Sequence, residues 1–233
     1  MVTNQNLSIP EHVAIIVDGN RRFAKKNALE AHKGHEKGKD KLEKIIESVK
    51  KFGIKKLTIY TLSVENIKNR SKLELDHLFR ILGEAFEKLD RERVNNEGLK
   101  IRFIGDLNLI SDELKVMCEK LEKDTKDNSN FVVNFALGYG GRQEITNAVK
   151  KIVSEGYSPD EISEKLIQKN LYLSDEPDLI IRTGGDVRTS NFLPWQSVYS
   201  EWIFLNKMWP EFEEDDLAYC IEEFKKRKRN FGK

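Results

Sequence analysis

The sequence lacks most of the features by which a protein class is assigned at first sight. Only two cysteines are present, Cys118 and Cys220, without CxxC spacing, and both lie in helix-like apolar patterns. We interpret them as reduced residues of a core or interface in a cytosolic protein. No apolar run approaches the roughly 20 residues of a membrane span, and the start, MVTNQNLSIPEH, has no apolar core of a signal peptide. The sequence therefore predicts a cytoplasmic protein.

An excess of charge of one sign is also missing. The 40 Lys and Arg residues are nearly balanced by 39 Asp and Glu residues, so no nucleic-acid partner is expected. No internal repeat, low-complexity linker or composition break divides the chain. A length of 233 residues suits one domain that buries about 70% of its unfolded surface. We predict a single domain over residues 1–233.

Several well-known catalytic motifs are absent as well. There is no GxxxxGKS or GxxxxGKT for a Walker-type nucleotide site, no HExxH or His/Cys cluster for zinc, and no GxSxG for a serine hydrolase. Gly138-Tyr139-Gly140-Gly141 has the wrong spacing for a dinucleotide fingerprint. The chemistry of the chain must therefore use other groups.

What the sequence does contain is a regular alternation of apolar runs and amphipathic segments. The runs predict strands at His12–Val17, Lys56–Leu62, Lys100–Ile104, Phe131–Ala136, Leu179–Ile181 and Trp202–Phe204. The segments between them predict helices at roughly 35–52, 71–95, 111–126, 141–155, 158–168 and 213–228. This alternation indicates an α/β fold, with a six-stranded, mostly parallel sheet and helices on both faces.

Two of the predicted helices have further signals. Ser158-Pro159-Asp160-Glu161 has the pattern of an N-cap serine, a first-turn proline and the glutamate of a capping box. The helix from Ser71 carries a broad apolar stripe made of Leu75, Leu78, Phe79, Leu82, Phe86 and Leu89. Its periodicity favours a core contact, and the wall of a hydrophobic tunnel is the open alternative.

The stretch VAIIVDGNRRFAKK joins the first strand to a polar turn. In parallel α/β sheets, ligands bind beyond the carboxyl ends of the strands, and this end presents Asp18-Gly19-Asn20 followed by Arg21 and Arg22. An acid that can hold a metal, placed beside paired arginines, suits a diphosphate. Taken alone, the stretch is more typical of a strand that ends in an Asp-Gly turn, so other segments must decide.

A second arginine cluster follows a later strand. Arg182, Arg188 and Ser190 flank Gly184-Gly185. Arginine makes bidentate contacts with phosphate, so two such clusters on one rim indicate two anionic groups held close together. For any single arginine a structural ion pair is a serious alternative, but that alternative is weaker for the whole set.

Seven collinear segments carry a resemblance to a known family. They are HVAIIVDGNRRFAKK (12–26), GHEKG (34–38), LTIYTLSVEN (57–66), RFIGD (102–106), NFALGYGGRQEI (134–145), DLIIRTGGDVRTSNFLPWQ (178–196) and EWIFLNKMWPEF (201–212). In these segments the chain resembles the cis-prenyltransferases, the undecaprenyl and dehydrodolichyl diphosphate synthases. The resemblance implies a six-stranded parallel sheet with surrounding helices, in a protein that is usually a homodimer.

The resemblance also implies a reaction. An allylic prenyl diphosphate of the C15 or C20 type condenses repeatedly with isopentenyl diphosphate to give a cis-polyprenyl diphosphate of the glycosyl-carrier-lipid type. Mg²⁺ assists departure of the allylic diphosphate. Like that family, the sequence lacks the DDxxD motif of the trans-synthases. Peripheral membrane contact during product release is an open possibility.

The resemblance assigns roles to matched positions. It implies that Asp18 and Asn66 are catalytic and that Asp18 and Glu201 handle the metal. It implies that substrate is bound by Gly19, Asn20, Arg21, Arg22, Phe23, His35, Ser63, Val64, Glu65, Arg70, Arg182, Arg188, Thr189 and Ser190. Arg182, Arg188 and Ser190 belong to the acceptor diphosphate, and the Gly19–Arg22 loop with His35 belongs to the allylic one. For His35, the start of a surface helix is the structural alternative.

Four positions depart from the family pattern. Ala31 stands where an arginine is common, and the arginine after Asn66 is displaced by one residue to Arg70. Asn230 replaces the arginine of a C-terminal R-x-G, and Phe23 replaces a tryptophan. Loss of one arginine–phosphate contact costs about 1.5–3 kcal/mol. We therefore infer that the binding of both diphosphates is altered.

These departures leave alternative functions open. The enzyme could use an atypical acceptor, such as a prenyl alcohol or a second allylic diphosphate, or make short products. Drift with compensation by Arg21, Lys68 or Arg229 is a milder explanation. Two other classes are a non-catalytic subunit of a heteromeric cis-prenyltransferase and an unrelated diphosphate-binding or hydrolytic α/β protein.

Overall fold

The structure is a computed structural model that describes residues 9–227. Its strands are β1 (His12–Ile16), β2 (Lys56–Ser63), β3 (Leu99–Ile104), β4 (Phe131–Tyr139), β5 (Leu179–Arg182) and β6 (Glu201–Phe204). They form one six-stranded sheet in the order β3-β4-β2-β1-β5-β6, and every neighbouring pair is parallel. The predicted α/β fold with a parallel sheet is confirmed.

Helices cover both faces of this sheet. They are α1 (Asn20–Lys26), α2 (Ala31–Lys51), α3 (Val64–Asn69), α4 (Lys72–Glu87), α5 (Arg91–Asn96), α6 (Asp112–Thr125), α7 (Gly141–Ser154), α8 (Glu164–Asn170) and α9 (Glu214–Lys226). In β1, Val13 and Ile15 join one core cluster, whereas Ala14 and Ile16 join the other. All four side chains are buried, as expected of a strand covered on both faces.

The capping-box signal at Ser158 starts only a short turn, not the predicted helix over 158–168. The Glu161 carboxylate accepts a hydrogen bond from the Ser158 backbone N–H at 2.8 Å, and Pro159–Glu161 forms a 3₁₀ turn. Ile162 then adopts an extended conformation, and α8 begins after a second cap at Ser163, whose hydroxyl accepts from the Leu166 N–H at 3.2 Å. The second cap, not the first, therefore sets the start of the helix.

The predicted helix over 71–95 is also divided. It forms α4 and α5, because Asp90 caps a new helix by accepting a hydrogen bond from the Arg93 N–H at 3.0 Å. The apolar stripe supports the core interpretation: Leu78 and Phe86 of α4 are buried. Phe79, Leu82 and Leu89, the last just beyond the end of α4, pack against the same cluster.

The order of the strands creates a crevice between β1 and β5. The chain leaves β1 towards β2 on one side, and it leaves β5 towards β6 on the other. Such a switch point is where ligands bind in open α/β sheets. Asp18 follows β1 and Thr183 follows β5, and the Thr183 hydroxyl donates a hydrogen bond to the Asp18 carbonyl at 2.8 Å.

Several predictions made outside this region have clear outcomes. Cys118 and Cys220 are buried and free, in agreement with their interpretation as reduced core residues. Between residues 9 and 227, no helix has the length and apolarity needed to cross a membrane. The departure at Asn230 lies outside the described residues.

Candidate active site

A cleft of about 920 Å³ opens at the carboxyl edge of the sheet, over the crevice between β1 and β5. The predicted site residues that line it are Asp18, Gly19, Asn20, Arg21, Arg22, His35, Ser63, Asn66, Arg70, Arg182, Arg188 and Ser190. They come from segments that are far apart in the sequence. The sheet brings these segments together because the carboxyl ends of parallel strands share one edge.

The cleft carries an excess of positive charge. Its lining includes the cationic side chains of Arg21, Arg22, Lys25, Arg70, Arg182 and Arg188, against the two carboxylates of Asp18 and Asp186. Such a lining attracts polyanions and focuses their approach. The near-neutral composition of the whole chain conceals this local excess.

Asp18 lies between the two arginine clusters predicted from the sequence. One carboxylate oxygen accepts a hydrogen bond from Arg182 at 2.8 Å, and the other lies 3.2 Å from Arg22. Partial burial alone would raise the pKa of Asp18, but the Arg182 hydrogen bond and the charges of Arg22 and Arg182 outweigh it and lower that pKa. Asp18 is therefore ionised at neutral pH.

Two glycines shape the backbone at Asp18. Gly19 has φ +105°, and a Cβ there would lie 2.9 Å from the Met208 Cβ. A Cβ at Gly184, which has φ +92°, would lie 2.7 Å from an Arg22 Nη atom. A side chain at Gly19 would collide with Met208, and one at Gly184 would displace the Arg22 guanidinium.

Arg182 is the buried centre of the second cluster. Its side chain is only 3% exposed. Besides Asp18, its guanidinium donates to the Ser190 hydroxyl at 2.7 Å and to the Arg188 carbonyl. These contacts fold the Arg188–Ser190 loop back towards the end of β5.

Asp186 was not identified from the sequence, although it follows the paired glycines directly. Its carboxylate accepts hydrogen bonds from Arg22 at 3.0 Å and from Arg188 at 2.8 Å, and it lies 3.9 Å from Arg182. Asp186 and Asp18 thus join arginines that follow β1 to arginines that follow β5. The sequence signal was its position inside the GGDVR segment, but an acid between arginines suggests only a local ion pair.

The two glycines of the GHEKG segment allow close packing between helices. A Cβ at Gly34 would lie 2.1 Å from the Asn20 carbonyl oxygen, and a Cβ at Gly38 would lie 2.3 Å from the Asn20 Oδ1. The Gly38 carbonyl also accepts a hydrogen bond from the Trp209 indole at 2.8 Å. The two glycines therefore let α2 pack directly on the start of α1, which brings His35 into the cleft.

The His35 side chain is only 10% exposed and is uncharged at neutral pH. Burial, and then the nearby charges of Arg70 and Arg21, lower its pKa to about 4. Its Nε2 lies 3.8 Å from the Glu74 carboxylate, too far for a hydrogen bond. Neither the His35 Nε2 nor the Glu74 Oε1 has a hydrogen-bond partner in the described part of the chain. The alternative interpretation of His35 as a surface residue is wrong, because α2 is packed on α1 at this point.

The segment after β2 brings Asn66 and Arg70 to the cleft. The Ser63 hydroxyl caps α3 by accepting from the Asn66 N–H at 3.0 Å. Arg70 lies 3.4 Å from the Asn66 Oδ1 and 3.6 Å from Glu74. The displacement of Arg70 by one residue does not remove it from the cleft. Ala31 lines the cleft too, so the arginine expected there is absent from the site itself.

Four predicted substrate-binding residues do not line the cleft. Val64 is buried in the core, Phe23 is partly buried, and Thr189 is exposed. The Glu65 carboxylate accepts a hydrogen bond from the Asn191 amide at 2.8 Å. The helical turn of α3 explains the case of Glu65, because Ser63 and Asn66 share a side of the helix that Glu65 does not.

Glu201 is the predicted metal ligand that the structure does not bring to the cleft. It begins β6 and pairs with Leu179 at the start of β5, whereas Asp18 follows the end of β1. At about 3.3 Å per residue and about 4.8 Å per strand, it lies roughly 20 Å from Asp18. Its carboxylate accepts a hydrogen bond from Arg227 at 2.7 Å. Within one chain, Asp18 and Glu201 therefore do not hold the same ion.

The cleft fits a magnesium ion that arrives with a phosphate better than a preformed metal cage. Within residues 9–227, no group of three or more His, Cys, Asp or Glu side chains is arranged to hold a metal. Mg²⁺ is commonly held by one or two carboxylates together with substrate phosphates. Asp18 supplies an ionised carboxylate whose side chain is 32% exposed, so it can reach such an ion.

Comparison with known proteins identifies the family. Residues 16–232 match the family model described as putative undecaprenyl diphosphate synthase. The chain belongs to this family of cis-prenyltransferases. It is 44% identical to the tritrans,polycis-undecaprenyl-diphosphate synthase (geranylgeranyl-diphosphate specific) of Methanopyrus kandleri, over 97% of this chain and 85% of that protein. The enzyme of the same name from Pyrobaculum aerophilum is 40% identical over the full length of both.

Solved structures agree with this assignment. Lavandulyl diphosphate synthase from Lavandula x intermedia, in complex with dimethylallyl diphosphate, superposes with a TM-score of 0.92 at 34% identity, covering 97% of this chain and 99% of that one. A probable undecaprenyl diphosphate synthase from Campylobacter jejuni has a TM-score of 0.81 at 30% identity, covering 97% and 100%. The protein is a prenyltransferase that acts on prenyl diphosphates.

Proposed function

We propose that this cis-prenyltransferase elongates an allylic prenyl diphosphate of the C20 type with isopentenyl diphosphate, giving a cis-polyprenyl diphosphate. The observation that carries the proposal is the pair of carboxylates, Asp18 and Asp186, that joins two arginine clusters in one cleft. Two diphosphates need two adjacent cationic subsites, and the clusters after β1 and β5 have that arrangement. The names of the Methanopyrus and Pyrobaculum relatives support a C20 donor.

On the donor side, the chain supplies positive charge where negative charge develops. Departure of the allylic diphosphate transfers charge to its oxygens, and Arg21, Arg22 and Lys25 line the adjacent wall of the cleft. Cations fixed in a partly desolvated site stabilise such a transition state. Asp18 is the residue we assign to Mg²⁺, which when bound would neutralise part of the charge on the leaving group.

On the acceptor side, Arg188 and Ser190 would hold the diphosphate of isopentenyl diphosphate. The Arg188 side chain is 61% exposed, so its guanidinium is free to reorient towards a ligand. Arg182 fixes the loop that carries both residues. Asn66, at the start of α3 between the two subsites, is the proposed catalytic amide.

A second candidate is a variant with an atypical acceptor or a short product. Two observations favour it: Ala31 leaves the donor side without the arginine common in the family, and the similarity to a synthase named for lavandulyl diphosphate is high. Against it, Arg70 keeps its place in the cleft, and Lys25 lines the same cleft. These two cations offset the missing arginine.

Product analysis separates the two candidates. We expect purified protein with Mg²⁺, isopentenyl diphosphate and a C20 donor to give a ladder of cis products by mass spectrometry, with slower turnover of C10 and C15 donors. A single condensation product, or incorporation of a prenyl alcohol or a second allylic diphosphate in place of isopentenyl diphosphate, would favour the variant. Turnover restored only by a second, different chain would identify a heteromeric enzyme.

We further propose that the protein is a homodimer that uses the β6 edge. Among residues 9–227 this strand has a neighbour on one side only, and near it Val198 and Tyr199 are 69% and 60% exposed. An unpaired apolar edge needs cover in a stable protein. In such a dimer, Glu201 could reach a metal only at the partner's site. Light scattering during size-exclusion chromatography tests the assembly.

A cytoplasmic location with peripheral membrane contact is the remaining part of the proposal. A long polyprenyl product is strongly apolar, so its release requires a lipid acceptor phase. Co-flotation of the protein with anionic vesicles, before and after product formation, tests this contact.

A further inference from the structure

The loop that carries the acceptor residues has an unusual backbone. Ser190, Asn191 and Leu193 have φ values of +51°, +62° and +48°. None of them is glycine, so each adopts a conformation that L-residues rarely populate. Such strain persists only where surrounding contacts determine the conformation. The contacts that hold this loop therefore indicate what it is built to position.

Asn191 fixes one side of the loop to the start of α7. Its carbonyl accepts a hydrogen bond from the Gly141 N–H at 2.8 Å, and its Oδ1 accepts from the Arg142 N–H at 2.9 Å. A Cβ at Gly141 would lie 2.0 Å from Pro194, so the glycine allows the loop to lie directly on the helix. Both acceptor atoms of Asn191 are thus used within the scaffold.

The donor group of Asn191 extends in the other direction. Its amide Nδ2 donates to the Glu65 carboxylate at 2.8 Å and to the Gln143 Oε1 at 3.2 Å. Glu65 directly precedes Asn66 in α3. A single side chain therefore connects the segment that carries Asn66 with the loop that carries Arg188 and Ser190.

Glu65 is suited to this connection. It does not line the cleft, and within residues 9–227 it forms no ion pair with Lys, Arg or His. An amide donor to a carboxylate makes a charge-assisted hydrogen bond, which is stronger and more directional than a neutral one. Tyr60 adds a weaker contact, since its hydroxyl lies 3.2 Å from the Tyr139 carbonyl and 3.4 Å from the Ser190 carbonyl and shares its one proton between them.

We propose that Asn191 and Glu65 are positioning residues that set the acceptor loop against the catalytic α3 segment. This inference rests on the proposed function. In it, Glu65 acts by holding Asn191 and does not contact the substrate. The pair would fix the separation between Asn66 and the acceptor diphosphate. Its loss should weaken use of isopentenyl diphosphate while leaving donor binding nearly unchanged.

Replacement of the donor group of Asn191 tests this pair. Asn191→Asp keeps the acceptor for the Arg142 N–H and the tolerance of positive φ, but it faces one carboxylate with another. We expect KM for isopentenyl diphosphate to rise about 10- to 100-fold, the range of a lost hydrogen bond to a charged group. KM for the allylic donor should change by less than about 3-fold, since the donor side is not touched.

A double variant in which donor and acceptor are exchanged should restore the hydrogen bond. In Glu65→Gln/Asn191→Asp, the glutamine amide donates to the new carboxylate, so we expect KM to return to within about 3-fold of the wild-type value. Glu65→Gln alone keeps an acceptor for Asn191 but removes its charge, so we expect a smaller rise in KM than in Asn191→Asp. Asn191→Gly keeps the positive φ without the side chain and should show the same KM effect as Asn191→Asp.

The outcomes distinguish this inference from the proposed function. Wild-type KM values in both Asn191→Asp and Asn191→Gly, or equal loss for donor and acceptor without rescue in the double variant, would overturn the positioning role. A wild-type protein that turns over no prenyl diphosphate would refute the proposed function instead. In that case, calorimetric binding of inorganic diphosphate to the same variants tests the loop separately, and affinities equal to wild type would reject it.

Discussion

The acceptor side of the cleft is more buried and more fully hydrogen-bonded than the donor side. On the acceptor side, Arg182 is 3% exposed and bonded to Asp18, Ser190 and the Arg188 carbonyl. On the donor side, Arg21 and Lys25 are exposed, and the buried His35 Nε2 and Glu74 Oε1 have no hydrogen-bond partner among the described residues. The acceptor side also keeps one such atom, the Arg182 Nε, but its loop is held on three elements.

The difference agrees with the demands of the proposed elongation. The acceptor is the same molecule in every cycle, so a preorganised loop can hold it without reorganisation. In each cycle the donor's diphosphate leaves as pyrophosphate, and the elongated chain, which now carries the acceptor's diphosphate, must move into the donor subsite. Cations that are exposed and polar atoms that are unpaired before binding suit a subsite completed by its ligand.

Removal of the residue shared by both sides should have the largest effect. We expect Asp18→Ala to lower kcat/KM by at least about 10³-fold, because it removes the metal-binding carboxylate and the contact between Arg22 and Arg182. Thermal unfolding should shift by less than about 5 °C, since Asp18 is partly exposed. Asp40→Ala, an exposed acid on α2, is the control. Retained activity in Asp18→Ala would overturn the central assignment.

Matched replacements of arginine on the two sides test the difference in construction. Lysine cannot reproduce the forked contacts of a guanidinium. Arg182→Lys should reduce the free energy of unfolding by about 1–3 kcal/mol, less than a fully buried pair would lose because Asp18 is partly exposed. Arg21→Lys should leave it unchanged. We expect kcat/KM to fall about 100-fold in Arg182→Lys and about 3-fold in Arg21→Lys. Equal unfolding midpoints for the two variants would contradict the preorganised acceptor side.

The pH dependence of stability should reveal the burial of neutral His35 on the donor side. The pKa of His35 is lowered from 6.5 to about 4, so the unfolded chain binds more protons between these values. Stability is therefore fully present above about pH 6.5 and is lost as the pH falls towards 4, by on the order of 3 kcal/mol from this group. His12, whose pKa burial also lowers to about 4, contributes in the same direction.

The contribution of His35 is measured by difference. Urea unfolding at pH 7.0 and pH 5.0 should show a smaller pH effect in His35→Asn than in the wild type, with His12→Asn as the comparison. An identical pH effect in His35→Asn and wild type would mean that His35 is not buried in its neutral form.

Restoring the absent arginine should have the smallest effect. We expect Ala31→Arg to lower KM for the allylic donor by about 3- to 10-fold, because the position lines the cleft but is exposed to solvent. KM for isopentenyl diphosphate should stay the same. A shift in donor preference towards shorter chains would instead mean that Ala31 governs chain length.

Much of the fold and the centre of the site could be predicted without coordinates. Buried strands leave uninterrupted apolar runs, and their carboxyl ends share an edge, so Asp18 and Arg182 were predicted to lie together. Helix ends were less predictable, because Ser158 carries the fuller capping signal, with a proline and a glutamate, yet the helix begins after Ser163. Only the packing around them decides which one begins a helix.

The sequence by itself determined the strands, their polar carboxyl ends and the two arginine clusters, since these follow from local pattern and chain direction. Tertiary structure alone decided that Asp186 joins the clusters, that Glu65 faces Asn191 and not the cleft, and that Glu201 lies at the far end of β6. Those facts depend on strand register and helix rotation. Register and rotation are set by contacts between residues that are distant in the sequence, which no local pattern records.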